Sequence, residues 1–297
     1  MKFRTIFILF NVVIVVSFLF VFLLPFFLLG PEYSLGFWKG NWYLALLFIL
    51  LIGGLNAFFL ANRRVFVLVE REDWGALSAH LVERIFSGKR YGTREVRLLV
   101  NAYLLQSDVG GIERLEAELA ARKPALLRAN ALLFGVTRLL RNKPDQAETF
   151  LAAYLDSRDV EARAWLRFDY AFSLVLQSRV AEALGFLREG CSSRDAVLAL
   201  LAAYLLGSLG LVAAPEADRP ALGELVEATR RRLLRRFPGQ SWPREVERAK
   251  SEVHIVILSK LIDDAGRWLF SAPRDAGAAP APDPAEGAED RAPGGGA

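Results

Sequence analysis

The sequence predicts an all-α protein in two parts: a two-helix transmembrane hairpin at the N-terminus, followed by an α-solenoid. Three observations carry this. Charge almost vanishes from the first 62 residues, which hold two apolar runs long enough to cross a bilayer. From Val65 to Phe270 the texture is helical throughout, rich in Ala, Leu, Arg and Glu and without sustained strand alternation. Within that stretch, a pattern of small and large apolar residues returns after one hairpin's length.

The first run, Ile6 to Leu29, is broken only by Asn11, Ser17 and Pro25. At 1.5 Å per residue it spans roughly 36 Å, against ~30 Å for the hydrocarbon core. It is too long for a signal-peptide core and lacks a small-residue cleavage site, so it reads as an anchor. A short connection, Gly30 to Asn41, leads to the second run, Trp42 to Leu60. Tyr33, Phe37, Trp38, Trp42 and Tyr43 gather around that connection, as amphipathic rings do at a headgroup layer. Lys2 and Arg4 precede the first span, and Arg63, Arg64 and Arg71 follow the second, whereas the connection carries only Lys39. The positive-inside rule then places both termini of this multi-pass chain in the cytoplasm and the short connection outside. Gly53 and Ala57 form a small-xxx-small pair, which opens a homo-oligomer through the membrane helices; the plain alternative is ordinary small-residue usage there.

The repeat lies in the next part, residues 65–210. Gly135, Ala147 and Leu151 recur as Ala171, Ala183 and Leu187, 36 positions on. Each copy reads as helix, tight turn, helix, with Asn142-Lys143-Pro144-Asp145 and Ser178-Arg179 as the turns. Small residues stand where two antiparallel helices cross closely, and large ones fill the space between hairpins. A weaker echo precedes them: Trp74, Leu77 and Leu81 return as Ile112, Leu115 and Leu119. A further helix, Arg194 to Leu206, begins a last hairpin.

These spacings resemble the tetratricopeptide repeat family, whose units of about 34 residues set a small residue, an Ala 12 positions on and a bulky residue four later. The likeness covers roughly residues 125 to 190. The unit here is nearer 36, the consensus tyrosines are mostly absent, and Gly190 stands where the family prefers another small or apolar residue. A generic helical-hairpin solenoid is the alternative. The plan as a whole is similar to HemY-type bacterial inner-membrane proteins, with two N-terminal spans and a cytoplasmic tetratricopeptide domain. Gly30-Pro31-Glu32-Tyr33 and Gly40-Asn41-Trp42 loosely match that family's connecting loop. That family is linked to haem-biosynthesis loci without a settled activity, so the resemblance implies an architecture and no reaction.

Residues 211–270 read as C-terminal helices that cap the solenoid. Pro215 and Pro220 bound a loop, and Ala221 to Phe237 forms a helix that Pro238-Gly239 stops. A last amphipathic helix runs from about Pro243 to Phe270. Residues 271–297 are Ala-, Pro- and Gly-rich, with almost nothing large and apolar to bury, which predicts disorder.

Composition narrows the function classes. The net charge is +4 on 297 residues with the arginines dispersed, which gives no footprint for nucleic acid. Cys191 is the only cysteine, so no intrachain disulfide, CxxC motif or thiolate-rich zinc site can form. His80 and His254 are the only histidines, neither has a partner at i+4, and no nucleophile elbow or phosphate-binding glycine loop occurs. We therefore expect no enzyme, no metal and no cofactor.

Two surfaces remain. By resemblance to the tetratricopeptide fold, Leu132, Val136 and Leu139 in one unit, and Phe168, Phe172 and Val175 in the next, face the concave side. There they would bind an amphipathic helix or an apolar peptide. The competing reading is that an apolar stripe at helical spacing is core. The second surface is Arg230, Arg231, Arg232, Arg235 and Arg236, which suits anionic headgroups. It also suits an ordinary helix C-terminus, where cations complement the dipole. The expected function is a membrane-anchored scaffold recruiting other proteins to the bilayer. The alternative is a lipid-binding, membrane-active protein working through the Arg230–Arg236 helix.

Overall fold

The computed structural model describes residues 3–87, 92–238, 241–249, 255 and 258–271. Every regular element among them is helical. The chain divides into two compact units, one of Met1–Thr137 with Ala153–Arg163, the other of Arg138–Ala152 with Ala164–Ala297. The tail expected to be disordered, beyond Ser271, lies outside the described residues, as do His254 and Gly239.

In the first unit, α1 (Phe3–Leu29) and α2 (Pro31–Glu70) meet at Gly30, whose φ of 83° makes the reversal. Pro31 takes the first helical position, where its missing N–H would have been unpaired anyway, and Glu32 complements the dipole. The segment expected to be a connecting loop is therefore helical. The only departure from helical geometry inside α2 is Asn41 (φ −122°, ψ 24°), immediately before the second apolar run. Both helices are long and apolar enough to cross a membrane. They pair along their length. Phe59 meets the rings of Phe7 and Phe10 edge-on at 5.5 and 5.8 Å, and Phe22 stacks on Trp38 at 3.9 Å. Asn56 Nδ2 donates to Asn11 Oδ1 at 2.8 Å, so each span satisfies the other's one strongly polar side chain.

α2 continues past its apolar run, and α3 (Trp74–Ser87) folds back beside it. α4 (Thr93–Leu105), α5 (Val109–Arg122), α6 (Pro124–Ala129) and the start of α7 (Ala131–Leu140) follow. Leu77, Leu81 and Ile85 of α3 and Val96, Leu99 and Val100 of α4 are fully buried and form the first core. Their i, i+4, i+8 and i, i+3, i+4 spacings are the apolar stripes of two packed helices.

One turn recurs along the chain. Glu72, Ser107, Asn142 and Ser178 have φ of 55°, 56°, 54° and 62°, at intervals of 35, 35 and 36 residues. At each, the N–H of that residue donates to the carbonyl three back, as in Glu72 to Val69 and Ser178 to Val175. The next N–H reaches the carbonyl five back, as in Asp73 to Leu68 and Arg179 to Leu174. This is the Schellman closure of a helix, with a left-handed residue just past its end. Ala162 (φ 55°), directly before α9 (Arg163–Leu176), stands outside the series.

The second unit comprises the end of α7, α8 (Pro144–Ala152), most of α9, α10 (Val180–Cys191), α11 (Ala196–Leu205), α12 (Arg219–Arg236), α13 (Ser241–Ala249) and α14 (Ser259–Phe270). Of the single helix expected from Pro243 to Phe270, the described residues show Ser241–Ala249 and Ser259–Phe270 as helical with a turn at Leu258, and residues 250–254 and 256–257 lie outside the described residues. α11 runs on through a π turn, Leu206–Gly210, into Leu211–Ala213. It is the centre of the unit: Ala196 to Ala203 are all buried, enclosed by α10, α12, α13 and α14. Its alanines let neighbours close in. A Cβ added at Gly190 on α10 would stand 2.7 Å from the Ala202 Cβ, so only glycine fits that crossing. Asp195 caps α11 by accepting from the Val197 and Leu198 N–H groups at 2.9 and 3.1 Å, and takes a third bond from Trp165 Nε1 at 2.8 Å.

Candidate functional site

The proposed concave positions fall into two classes. Leu132 and Val136 in the first unit are buried, and Phe168 in the second is 1% exposed. These three serve packing. Leu139, Phe172 and Val175, all in the second unit, are half-buried and can be reached from solvent. On α9 the rings of Phe168 and Phe172 lie parallel, 6.2 Å apart, and Trp165 meets Phe168 edge-on at 5.7 Å. The inner ring thus seats the outer one.

Beside Phe168 lies a group that composition did not single out. Asp169 is 1% exposed, its Oδ2 has no hydrogen-bond partner, and burial pushes its carboxyl well above the usual range. Such enclosure favours the protonated acid over an ionised carboxylate, which would lack compensation there. Near the end of the same helix, Glu148 of α8 receives Arg179 at 2.7 Å and Gln177 Nε2 at 2.9 Å, and Arg179 also grips Glu182 at 2.7 Å. These links join α8 to the turn between α9 and α10.

In place of a uniformly outward basic face, α12 turns much of its charge onto the chain. Arg230 is 5% exposed; its guanidinium donates to the carbonyls of Leu269, at 3.2 Å, and Ser271. It also lies over the Trp268 ring at 5.3 Å. Arg232 donates to the Cys191 carbonyl at 2.6 Å, and Arg236 to the Arg194 carbonyl at 3.0 Å. Carbonyls at helix ends are short of donors, and a guanidinium fork fits them. Arg230, Arg232 and Arg236 therefore tie α12 to the end of α14, the end of α10 and the turn before α11. Arg231, Arg232, Arg235 and Arg236 are all exposed, and of these Arg232 and Arg236 reach back to carbonyls of the chain.

The remaining reactive groups are quiet. Burial pushes the Cys191 thiol up to about 11, opposed by a hydrogen bond with Thr229, so it is protonated near neutrality. Among the described residues, no three His, Cys, Asp or Glu side chains gather as a metal site. One feature escaped sequence reasoning: a cleft of about 710 Å³ in the first unit, where Arg63 and Arg64 of α2 face His80 and Arg84 of α3. No motif marks it, since its halves meet only when α3 folds back.

Comparison with known proteins adds a family. Residues 111–271 match the family described as "Uncharacterised Treponema protein". An uncharacterized protein of Treponema pallidum (strain Nichols) is 30% identical over 232 residues, which cover 76% of this chain and 74% of that protein. No solved structure matches.

Proposed function

The chain belongs to this family of uncharacterised Treponema proteins, and from that premise we propose that it is a membrane-anchored scaffold of the inner membrane. In this reading, two spans hold a tetratricopeptide-like array of helical hairpins at the cytoplasmic face, on the plan of HemY-type proteins. The array gathers other proteins there, without a cofactor and without catalysis. The observation that carries it is the recurrence of one Schellman turn at Glu72, Ser107, Asn142 and Ser178. A fixed interval of 35 to 36 residues between identical turns is the mark of stacked helical hairpins. Such arrays display side chains for binding. Anchoring confines whatever they hold to the bilayer surface and raises its effective concentration there.

The reachable residues Leu139, Phe172 and Val175 are where a partner would dock. Crosslinked pull-down from native membranes tests this, comparing the wild-type chain with Phe172→Glu, whose helicity is verified by circular dichroism. A discrete set of partners captured by the wild type and lost from the folded variant supports both scaffold and face. Partners retained by the variant would remove the α9 face from the site. A wild-type chain that captures no protein would end the scaffold reading.

A further inference from the structure

The geometry points to a second site at the foot of α2: the cleft between α2 and α3 binds the phosphate headgroup of an anionic phospholipid. The apolar run from Trp42 to Leu60 is about 29 Å long, enough to use up the hydrocarbon core, so residues 61 to 68 lie at headgroup level on the next turns. α3 returns antiparallel, and Arg84 Nη1 and Nη2 both lie 3.4 Å from Asn62 Oδ1. That contact sets Arg84 level with the end of the span. His80 is one turn earlier in α3, farther from the end of the span, and lines the same space.

The cleft has two chemistries on its walls. Arg63, Arg64, Arg84 and His80 form the polar side, and Leu60 and Val67 contribute to the apolar side. Among the described residues no carboxylate lines it; Glu83 is near enough to act on His80 electrostatically but stands outside. Burial first, and then the charges of Arg64 and Arg84, hold His80 below its ordinary range, with Glu83 opposing them. The Nδ1 of His80 is sealed from solvent and has no hydrogen-bond partner among the described residues. Three converging guanidinium groups suit a phosphate. The apolar wall and the bilayer depth make the ligand an amphiphile rather than a free anion. Basic pockets on the cytoplasmic side of membrane helices take acidic headgroups for the same reason.

The site rests on α2 crossing the bilayer, and the test separates that premise. Alkaline carbonate extraction of native membranes comes first; release of the wild-type chain would overturn the anchor and the lipid site together. With the chain retained, the full-length protein in neutral detergent is titrated with short-chain phosphatidylglycerol, phosphatidylcholine and inorganic phosphate. Bound adducts are counted by native mass spectrometry. Phosphatidylglycerol is expected to bind roughly tenfold or more tightly than phosphatidylcholine, with phosphate failing to compete at equal concentration. Arg63→Gln/Arg64→Gln should weaken it roughly tenfold or more, and Arg231→Gln/Arg235→Gln should not. Arg63 and Arg64 are exposed, so their loss leaves the fold in place, which circular dichroism verifies. Equal weakening by both pairs would assign the binding to diffuse surface charge and overturn the cleft. Competition by phosphate, or equal affinity for the two lipids, would overturn the lipid assignment while leaving the anchor intact.

Discussion

α2 and α11 are both long, apolar and free of internal charge over most of their length, yet the chain encloses only one of them. Each qualifies by length and composition as a membrane-crossing helix: α2 itself, and α11 taken with its continuation as Ala196–Ala213. Within the α2 window no residue is buried by the chain, whereas 61% of the Ala196–Ala213 window is. α2 pairs with α1 along one side only and leaves Leu47, Leu50 and Ile49 bare. α11 is enclosed by the helices of its unit, and its eight residues from Ala196 to Ala203 contain four alanines and no aromatic ring. Bulky apolar residues all round suit lipid, which conforms to any shape. Small ones suit protein neighbours, which must approach closely. Hydropathy alone does not separate the two, but side-chain size does.

The comparison can be broken most forcefully by one charge. Leu200→Asp on α11 places a carboxylate where nothing can solvate it and is expected to cost more than about 4 kcal/mol, abolishing the cooperative melt of the second unit. Leu50→Asp on α2 should leave that melt unchanged, while costing ~3 kcal/mol of membrane insertion, read by carbonate extraction. If both changes gave the same phenotype, the two helices would share one environment. A smaller effect tests close packing. Gly190→Ala is expected to destabilise by ~1–3 kcal/mol in thermal denaturation, because its Cβ would strike Ala202. Gly185→Ala on the same helix meets nothing within 4 Å and should stabilise by up to about 1 kcal/mol.

Asp169 sharpens the comparison through pH. A carboxyl whose folded pKa lies above its unfolded value binds the extra proton in the native state. Its contribution is complete below the unfolded value, near pH 4, and is lost as pH rises towards the folded one. Denaturant midpoints of the second unit should therefore fall as pH rises above about 4, and Asp169→Asn should flatten that slope. The smallest effect is expected at the span pair. Asn56→Leu removes the bond to Asn11 and should loosen the hairpin by only ~0.6 kcal/mol, since the separated helices find other partners in lipid. A loss of several kcal/mol in a detergent-based unfolding assay would show that the pair governs the hairpin.

The long apolar runs were legible because their length has one physical meaning, and the Asn142 and Ser178 turns because polar residues interrupt helical texture there. Glu72 and Ser107 make the same turn without glycine or asparagine, so nothing in their identity announces the left-handed backbone, which costs about 1 kcal/mol at each. The helical conformation of residues 31–40 was hidden for the opposite reason: Pro31 reads as a breaker until it is placed at a first helical position. Six apolar positions looked equivalent by spacing. Only enclosure by neighbouring helices separates Phe168 from Phe172, and enclosure is not written in a single stripe. The arginines of α12 show this most plainly, since sequence supplies the charge but not the carbonyls of Leu269, Cys191 and Arg194 that receive it.

α2 passes from its apolar run to Glu70 without a break in helical geometry after Asn41. The last ten residues extend it about 15 Å beyond the hydrocarbon. An unbroken rod has no hinge, so those turns are a lever whose fulcrum lies in the bilayer. Membrane helices tilt by about 20° to match hydrocarbon thickness, and such a tilt would swing the outer end by roughly 5 Å. With α2 across a bilayer, membrane thickness would become a mechanical input to the Glu72 turn, just before α3 begins.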